Sequence, residues 1–217
     1  MLRCQRKNLR VDLESKTVTE TGKRQKPMVE LLEVDDFLNA EQQEKILSEL
    51  RAGESAAATV YGKETGGSIE SRVRKVSRVN VSRTTSKLVE ELLLDRKETF
   101  EKHFGVALKE CEEPQFLRYQ IGDFFVAHQD GNTPMIFDDS RFRQISIVIF
   151  LNAQSVTPLP NAYGGGDLTF HGSFPNYSFR IAAEPQPGKL VAFRAETTHE
   201  VTPILYGERF TIVSWYR

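Results

Sequence analysis

The sequence predicts a mostly β protein with α-helical support: a double-stranded β-helix, or jelly roll, with N-terminal helices packed on one sheet. Two observations carry this. Residues 28–112 hold two amphipathic helical patterns, and from Glu113 onward short β runs alternate with Gly and Pro turns to the end of the chain. Eight short strands after two helices fit two stacked sheets, whose open mouth can hold a small ligand. With 217 residues, one domain over 28–217 is expected behind an arm at 1–27, with 28–112 as helical support and lid region and 113–217 as the β core.

In chain order, Met28 to Val34 reads as a short strand. Asn39 caps a helix that runs to about Ala52 with Ile46, Leu47 and Leu50 as its apolar stripe. Residues 53–69, rich in Gly, Ala, Ser and Thr, read as a loop long enough to be a lid. Val73 to Val81 largely alternates apolar and polar residues, which predicts a half-buried strand with its basic residues outward in solvent. A second helix is expected from Thr85 to Phe104, because Leu88, Val89, Leu92, Leu93, Phe100 and Phe104 recur at helical spacing. The β half is then expected as strands near 114–120, 123–129, 144–151, 166–171, 177–183, 189–193, 198–204 and 209–216. Gly122, Pro158, Pro160, Gly164 to Gly166, Pro175, Gly188 and Gly207 mark the breaks.

Composition excludes several classes. A hydrophobic fraction of 39% with 27% charged residues fits a globular chain. Ile145 to Leu151 is far too short to span a bilayer, and no apolar signal core follows the basic N-terminal residues, so a cytoplasmic protein without membrane contact is expected. Cys4 and Cys111 make no disulfide framework. The net charge of −1 gives no global pull towards nucleic acid. The arm at 1–27, with its basic residues from Arg3 to Lys26, reads mainly as a solvated terminus that could contact RNA or an acidic partner.

The chemistry concentrates in Leu117 to Asp130. His128 and Asp130 stand two apart at the end of a β run, and i, i+2 side chains on a strand share a face, which makes a two-ligand metal edge. His199 is the natural third ligand. Two His and one carboxylate leave positions open on the metal and suit ferrous iron. Arg209 opens the last strand with Thr211, Val213 and Trp215 alternating onto its side, and a buried guanidinium beside a metal calls for an anion. His171 reads as a packing histidine, and His103 as a helix C-terminal residue.

These residues resemble the 2-oxoglutarate and iron(II)-dependent dioxygenase superfamily, in its prolyl 4-hydroxylase-like branch. The resemblance covers about 113–217 and rests on His128-x-Asp130, His199 and Arg209. Gly165-Gly166-Asp167-Leu168 also looks like the family's Gly-Gly-x-Leu hairpin, and Pro187 to Phe193 like its Pro-x-Gly-x-Leu-x-x-Phe run. It implies that His128, Asp130 and His199 hold Fe(II), that Arg209 binds the distal carboxylate of 2-oxoglutarate, and that the Tyr119 hydroxyl lies against this cosubstrate. Where some relatives place a Tyr for that carboxylate, this chain has Phe150, leaving Tyr119, Thr211 or Ser146 to supply the second donor. Arg143 matches a basic residue near the substrate in relatives, and Trp215 could flank the iron mouth.

The activity so implied consumes 2-oxoglutarate and O2, with ascorbate as an optional addition, releases succinate and carbon dioxide, and hydroxylates an unactivated C–H bond. A prolyl residue of a protein is the leading substrate. A free amino acid or small molecule is the alternative, and a non-catalytic metal or 2-oxoglutarate sensor the second. The related alkylated-nucleic-acid demethylases carry an Asn and an Arg-x-Asn-x-x-x-Arg ending where this chain has Leu117, Thr211 and Trp215, which counts against a nucleic-acid substrate.

Overall fold

A computed structural model describes residues 29–58, 72–134, 136–174 and 177–217. The basic arm and most of the expected lid lie outside the described residues. Fourteen strands and three α-helices follow in the order β1 (Leu31–Val34), α1 (Ala40–Ala52), β2 (Ser55–Ala57), β3 (Arg74–Lys75), β4 (Ser77–Val79), α2 (Arg83–Leu94), α3 (Lys97–Phe104), β5 (Gln115–Tyr119) and β6 (Phe124–His128). After a 3-10 turn at Asp139–Phe142 come β7 (Ile145–Phe150), β8 (Gly164–Gly165), β9 (Leu168–Phe174), β10 (Tyr177–Ala182), β11 (Leu190–Arg194), β12 (His199–Val201), β13 (Ile204–Tyr206) and β14 (Arg209–Tyr216).

The strands form a large sheet in the order β1-β11-β7-β14-β5-β4-β2, a smaller one in the order β10-β9-β12-β6-β3, and a two-stranded β13-β8 ribbon. All six residues of β7 are buried, because this strand is covered on both faces. Ile145, Ile147 and Ile149 pack towards the helices, joined by Phe210, Ile212 and Tyr216 of β14 and by Leu50, Leu93 and Phe100. Val148 and Phe150 point the other way, into a second core with Leu168, Phe170 and Val201 of the smaller sheet. Period-two alternation along β7 and β14 therefore divides a helix-facing side from a side that faces the site.

Helix α1 begins as its sequence dictates. The Asn39 side chain accepts from Gln42 N–H while the Gln42 side chain accepts from Asn39 N–H, a reciprocal capping box. Ser82 caps α2 by accepting from Thr85 N–H. The single helix expected over 85–104 is two. The Asp95 N–H reaches back to Glu91 and Leu93, α3 restarts at Lys97, and Leu94 is left exposed. Leu93 and Phe100 are two helical turns apart in sequence, so the apolar stripe reads through the break and periodicity does not reveal it.

Two other expectations change. Part of the 53–69 loop is β2, paired antiparallel with β4. The 73–81 strand is two: β3 pairs with β6 in the smaller sheet and β4 with β5 in the larger, the chain crossing between sheets at buried Val76. That crossing turns Arg74 inward, against the expectation of a solvated basic face. Among the described residues no helix is long and apolar enough to cross a membrane.

The Phe100 ring is fully buried and lies 5.7 Å from that of Tyr216, whose hydroxyl donates to Leu93 O. Phe100→Ala is expected to lower stability by about 3–5 kcal/mol in urea unfolding. Divalent-metal affinity should not change, since Phe100 lies on the helix side of the large sheet.

Candidate metal and cosubstrate site

The site is assembled from two cross-strand pairs, one on each sheet. On the smaller sheet His199 of β12 stands directly opposite His128 of β6, and their ring centroids are 4.2 Å apart. On the larger sheet Arg209 of β14 stands opposite Tyr119 of β5. All four side chains line one cleft of about 150 Å³ between the sheets.

His128, Asp130 and His199 each present a ligand atom within 4.8 Å of the other two, the one such cluster among the described residues. Both rings are oriented by backbone carbonyls, His128 Nδ1 at 2.8 Å from Val126 O and His199 Nδ1 at 2.9 Å from Thr197 O. A proton on each Nδ1 leaves each Nε2 lone pair free for a cation, the usual arrangement around a ligating histidine. The two Nε2 atoms lie 3.4 Å and 3.5 Å from the Asp130 carboxylate oxygens. The strand itself ends at His128, so Asp130 reaches the cluster from the turn beyond it, pinned by its N–H to Ala195 O at 2.9 Å. Gly131 must follow, because a Cβ there would stand 2.5 Å from Ser140 O and 2.6 Å from Arg143 Cβ.

Burial penalises charge on Asp130, but His199, His128 and the Trp215 indole N–H outweigh it and hold its carboxyl well below the usual range. Ser146 Oγ donates to Asp130 Oδ2 at 2.7 Å, so this hydroxyl is engaged with the carboxylate in place of the cosubstrate role expected for it. Burial, reinforced by His128, pushes His199 down to about 4. The imidazole is therefore neutral at physiological pH, as a ligand must be.

Arg209 is 1% exposed. Its Nη1 donates to Thr211 Oγ1 at 3.4 Å, while its Nε and Nη2 find no hydrogen-bond partner among the described residues. The guanidinium carbon sits 5.0 Å from the Tyr119 ring centroid and 5.5 Å from that of Phe150. A permanent charge held between aromatic walls with donors unsatisfied is costly unless an anion completes it. A carboxylate entering the cleft fits that demand.

Arg143 and Trp215, the two residues read as substrate neighbours, both line the cleft, but Arg143 is already paired. Its Nε and Nη2 donate to Glu112 at 2.8 Å and 2.7 Å, and its guanidinium lies 3.7 Å over the Trp215 ring centroid. His171 stays outside the cluster, its Nε2 3.2 Å from Glu200 Oε1.

Sequence reasoning missed three contributors. Arg74 is buried at the cleft, its guanidinium 4.9 Å from the Phe125 ring centroid, and that ring stacks on His128 at 3.5 Å. Glu112 clamps Arg143. Tyr163, fully buried beside Arg209, carries a hydroxyl that no well-formed hydrogen bond satisfies among the described residues. Only Tyr163 had a sequence signal, its place immediately before Gly164-Gly165-Gly166.

The depressed His199 pKa predicts how the metal-free chain responds to acid. Above pH 6.5 the imidazole is neutral both folded and unfolded, and its contribution is fully present. As pH falls towards 4 the unfolded chain takes up a proton that the folded chain resists, and stability on the order of 3 kcal/mol is lost. Urea unfolding at pH 7, 6 and 5 should show the decline, and His199→Gln should flatten it.

Residues 114–217 match the family described as the 2OG-Fe(II) oxygenase superfamily. Among curated relatives, a PKHD-type hydroxylase of Shewanella oneidensis is 27% identical over 170 residues, covering 78% of this chain and 71% of that protein. One of Hyphomonas neptunium is 28% identical over 173 residues, covering 78% and 72%. A prolyl-4-hydroxylase of Pseudomonas putida superposes with a TM-score of 0.65 at 22% identity, over 87% of this chain and 92% of that one. A Trichoplax adhaerens prolyl hydroxylase, solved with a hypoxia inducible factor oxygen degradation domain peptide, superposes at 0.62 with 16% identity, over 86% and 83%. The two structures share the fold, and the conclusion is that the β core of this chain is similar to the 2OG-Fe(II) oxygenase superfamily over residues 114–217.

Proposed function

We propose that the chain hydroxylates a prolyl residue of a polypeptide, using Fe(II), 2-oxoglutarate and O2 and releasing succinate and carbon dioxide. The observation that carries the cosubstrate assignment is the buried Arg209 guanidinium, with Nε and Nη2 unsatisfied, in the cleft that also holds the His128, Asp130 and His199 cluster. A dicarboxylate with a keto-acid end is a ligand that can satisfy both ends of this cleft at once. The names of the Pseudomonas putida and Trichoplax proteins, and the peptide held by the latter, support a prolyl substrate in a polypeptide.

In this reading His128 Nε2, His199 Nε2 and the Asp130 carboxylate hold the metal, with Ser146 and Trp215 orienting the carboxylate. Bound Fe(II) supplies the redox chemistry that couples decarboxylation of 2-oxoglutarate to hydroxylation. Arg209 draws in the distal carboxylate, with Tyr119 and Thr211 beside it, and the apolar walls around Leu168 and Val201 exclude water. Arg143, neutralised by Glu112, presents a flat cationic surface stacked on Trp215 and borders the substrate side. Ile136 and Ser140 line the cleft while Phe137 and Phe142 beside them are exposed, an apolar rim against which an extended peptide can lie. A cytoplasmic setting and stimulation by ascorbate accompany this reading.

Incubating the Fe(II)-loaded chain with 2-oxoglutarate, O2 and proline-containing peptides should yield succinate and a peptide heavier by one oxygen. Failure to form succinate with any peptide would favour a sensor. Arg209→Ala should weaken 2-oxoglutarate binding at least a hundredfold by calorimetry, as loss of a buried charge partner does, while leaving metal affinity within about twofold.

A further inference from the structure

We infer that the Tyr163 hydroxyl is the second donor to the distal carboxylate of 2-oxoglutarate, supplying from beside Arg209 the hydroxyl that Phe150 lacks. The inference rests on the reading of Arg209 as the cosubstrate anchor and names a further binding residue in that site.

Three observations place Tyr163 there. It belongs to the same inter-sheet core as Tyr119, Phe150 and Leu168. It is fully buried, yet its hydroxyl has no hydrogen-bond partner among the described residues. That hydroxyl faces the Arg209 guanidinium, which opposes the upward push that burial gives to the phenol pKa. Gly166 packs beside both residues: its φ is +67°, and a Cβ there would collide with Ile204 Cδ1 and lie 3.0 Å from Arg209 Cδ and 3.4 Å from Tyr163 Cε2. Any side chain at 166 would be strained, would overlap Ile204 and would press on the arginine.

Buried hydroxyls are nearly always satisfied, so an orphan calls for an explanation. A phenol beside a guanidinium can offer its lone pairs to the cation, which leaves its O–H to donate. The buried surroundings contain Arg209 Nε, Arg209 Nη2 and Tyr163 Oη without partners. An anion with two acceptor oxygens is what that group of donors is short of. Of the other candidate donors, Ser146 Oγ donates to Asp130, while Tyr119 and Thr211 line the cleft beside Arg209 and can add to the contact.

The test compares Tyr163→Phe with the parent chain, both loaded with Mn(II) so that no turnover occurs, by calorimetric titration with 2-oxoglutarate. The expected result is an affinity loss of roughly tenfold, the size of one hydrogen bond to a charged group. Mn(II) affinity should be unchanged. The Tm of the ligand-free chain should be equal or higher, since the variant removes an unsatisfied hydroxyl. A residue that merely props Arg209 works in the empty chain too, so a lower ligand-free Tm overturns the inference. So does 2-oxoglutarate affinity within twofold of the parent, or an equal loss of Mn(II) affinity. If the parent binds 2-oxoglutarate, Arg209→Ala abolishes that binding and Tyr163→Phe leaves it intact, only the Tyr163 role falls. Absence of binding by the parent overturns both.

Discussion

His128 and His199 stand directly opposite one another across the β6–β12 ladder, and the rest of the site depends on that register. Side chains alternate along a strand, so a slip of one residue would replace His199 with Glu200 on the cleft face and turn the imidazole away. Strand β12 has only three residues and could not hold its own register. It is fixed from its other side, where His199 pairs with Phe170 of β9, and by the Phe193 ring, 4.7 Å from the imidazole centroid. The apolar core between the sheets thus sets the ligand geometry. The helices act at one remove, by burying the far side of β7 and β14 and so fixing where Arg209 and Trp215 point.

Charge in the cleft is distributed unevenly. Arg143 is answered by Glu112, and Asp130 by Ser146, Trp215 and the histidines. Among the described residues Arg209 is answered by nothing charged, and it lies between aromatic rings where an unpaired cation is least tolerable. The cleft therefore favours a ligand that brings its own negative charge to one end and metal-binding atoms to the other.

The β half of the fold was legible because turn residues punctuate it and because fully buried strands such as β7 form continuous apolar runs. The gathering of the three candidate metal ligands was legible too, though for a partly mistaken reason. His128 and Asp130 were expected to share a strand face, whereas the strand stops at His128 and a turn delivers the carboxylate. The i, i+2 spacing survives either way, so the sequence does not distinguish them. What stayed hidden depends on contacts between distant segments. Arg74 looks like an outward basic residue until the chain crosses sheets at Val76. Tyr163 looks like one more core aromatic until the fold sets its hydroxyl beside Arg209. The break between α2 and α3 was invisible because both helices keep the same apolar phase.

The central claim is that the two cross-strand pairs, His128 with His199 and Arg209 with Tyr119, hold the two ends of one ligand assembly. A crystal structure of the chain grown with Mn(II) and 2-oxoglutarate tests it most directly. The account predicts the metal bonded to His128 Nε2, His199 Nε2 and the Asp130 carboxylate, with the distal carboxylate of the bound molecule on Arg209. A metal held by other residues, or a cosubstrate whose distal carboxylate lies away from Arg209, would contradict it.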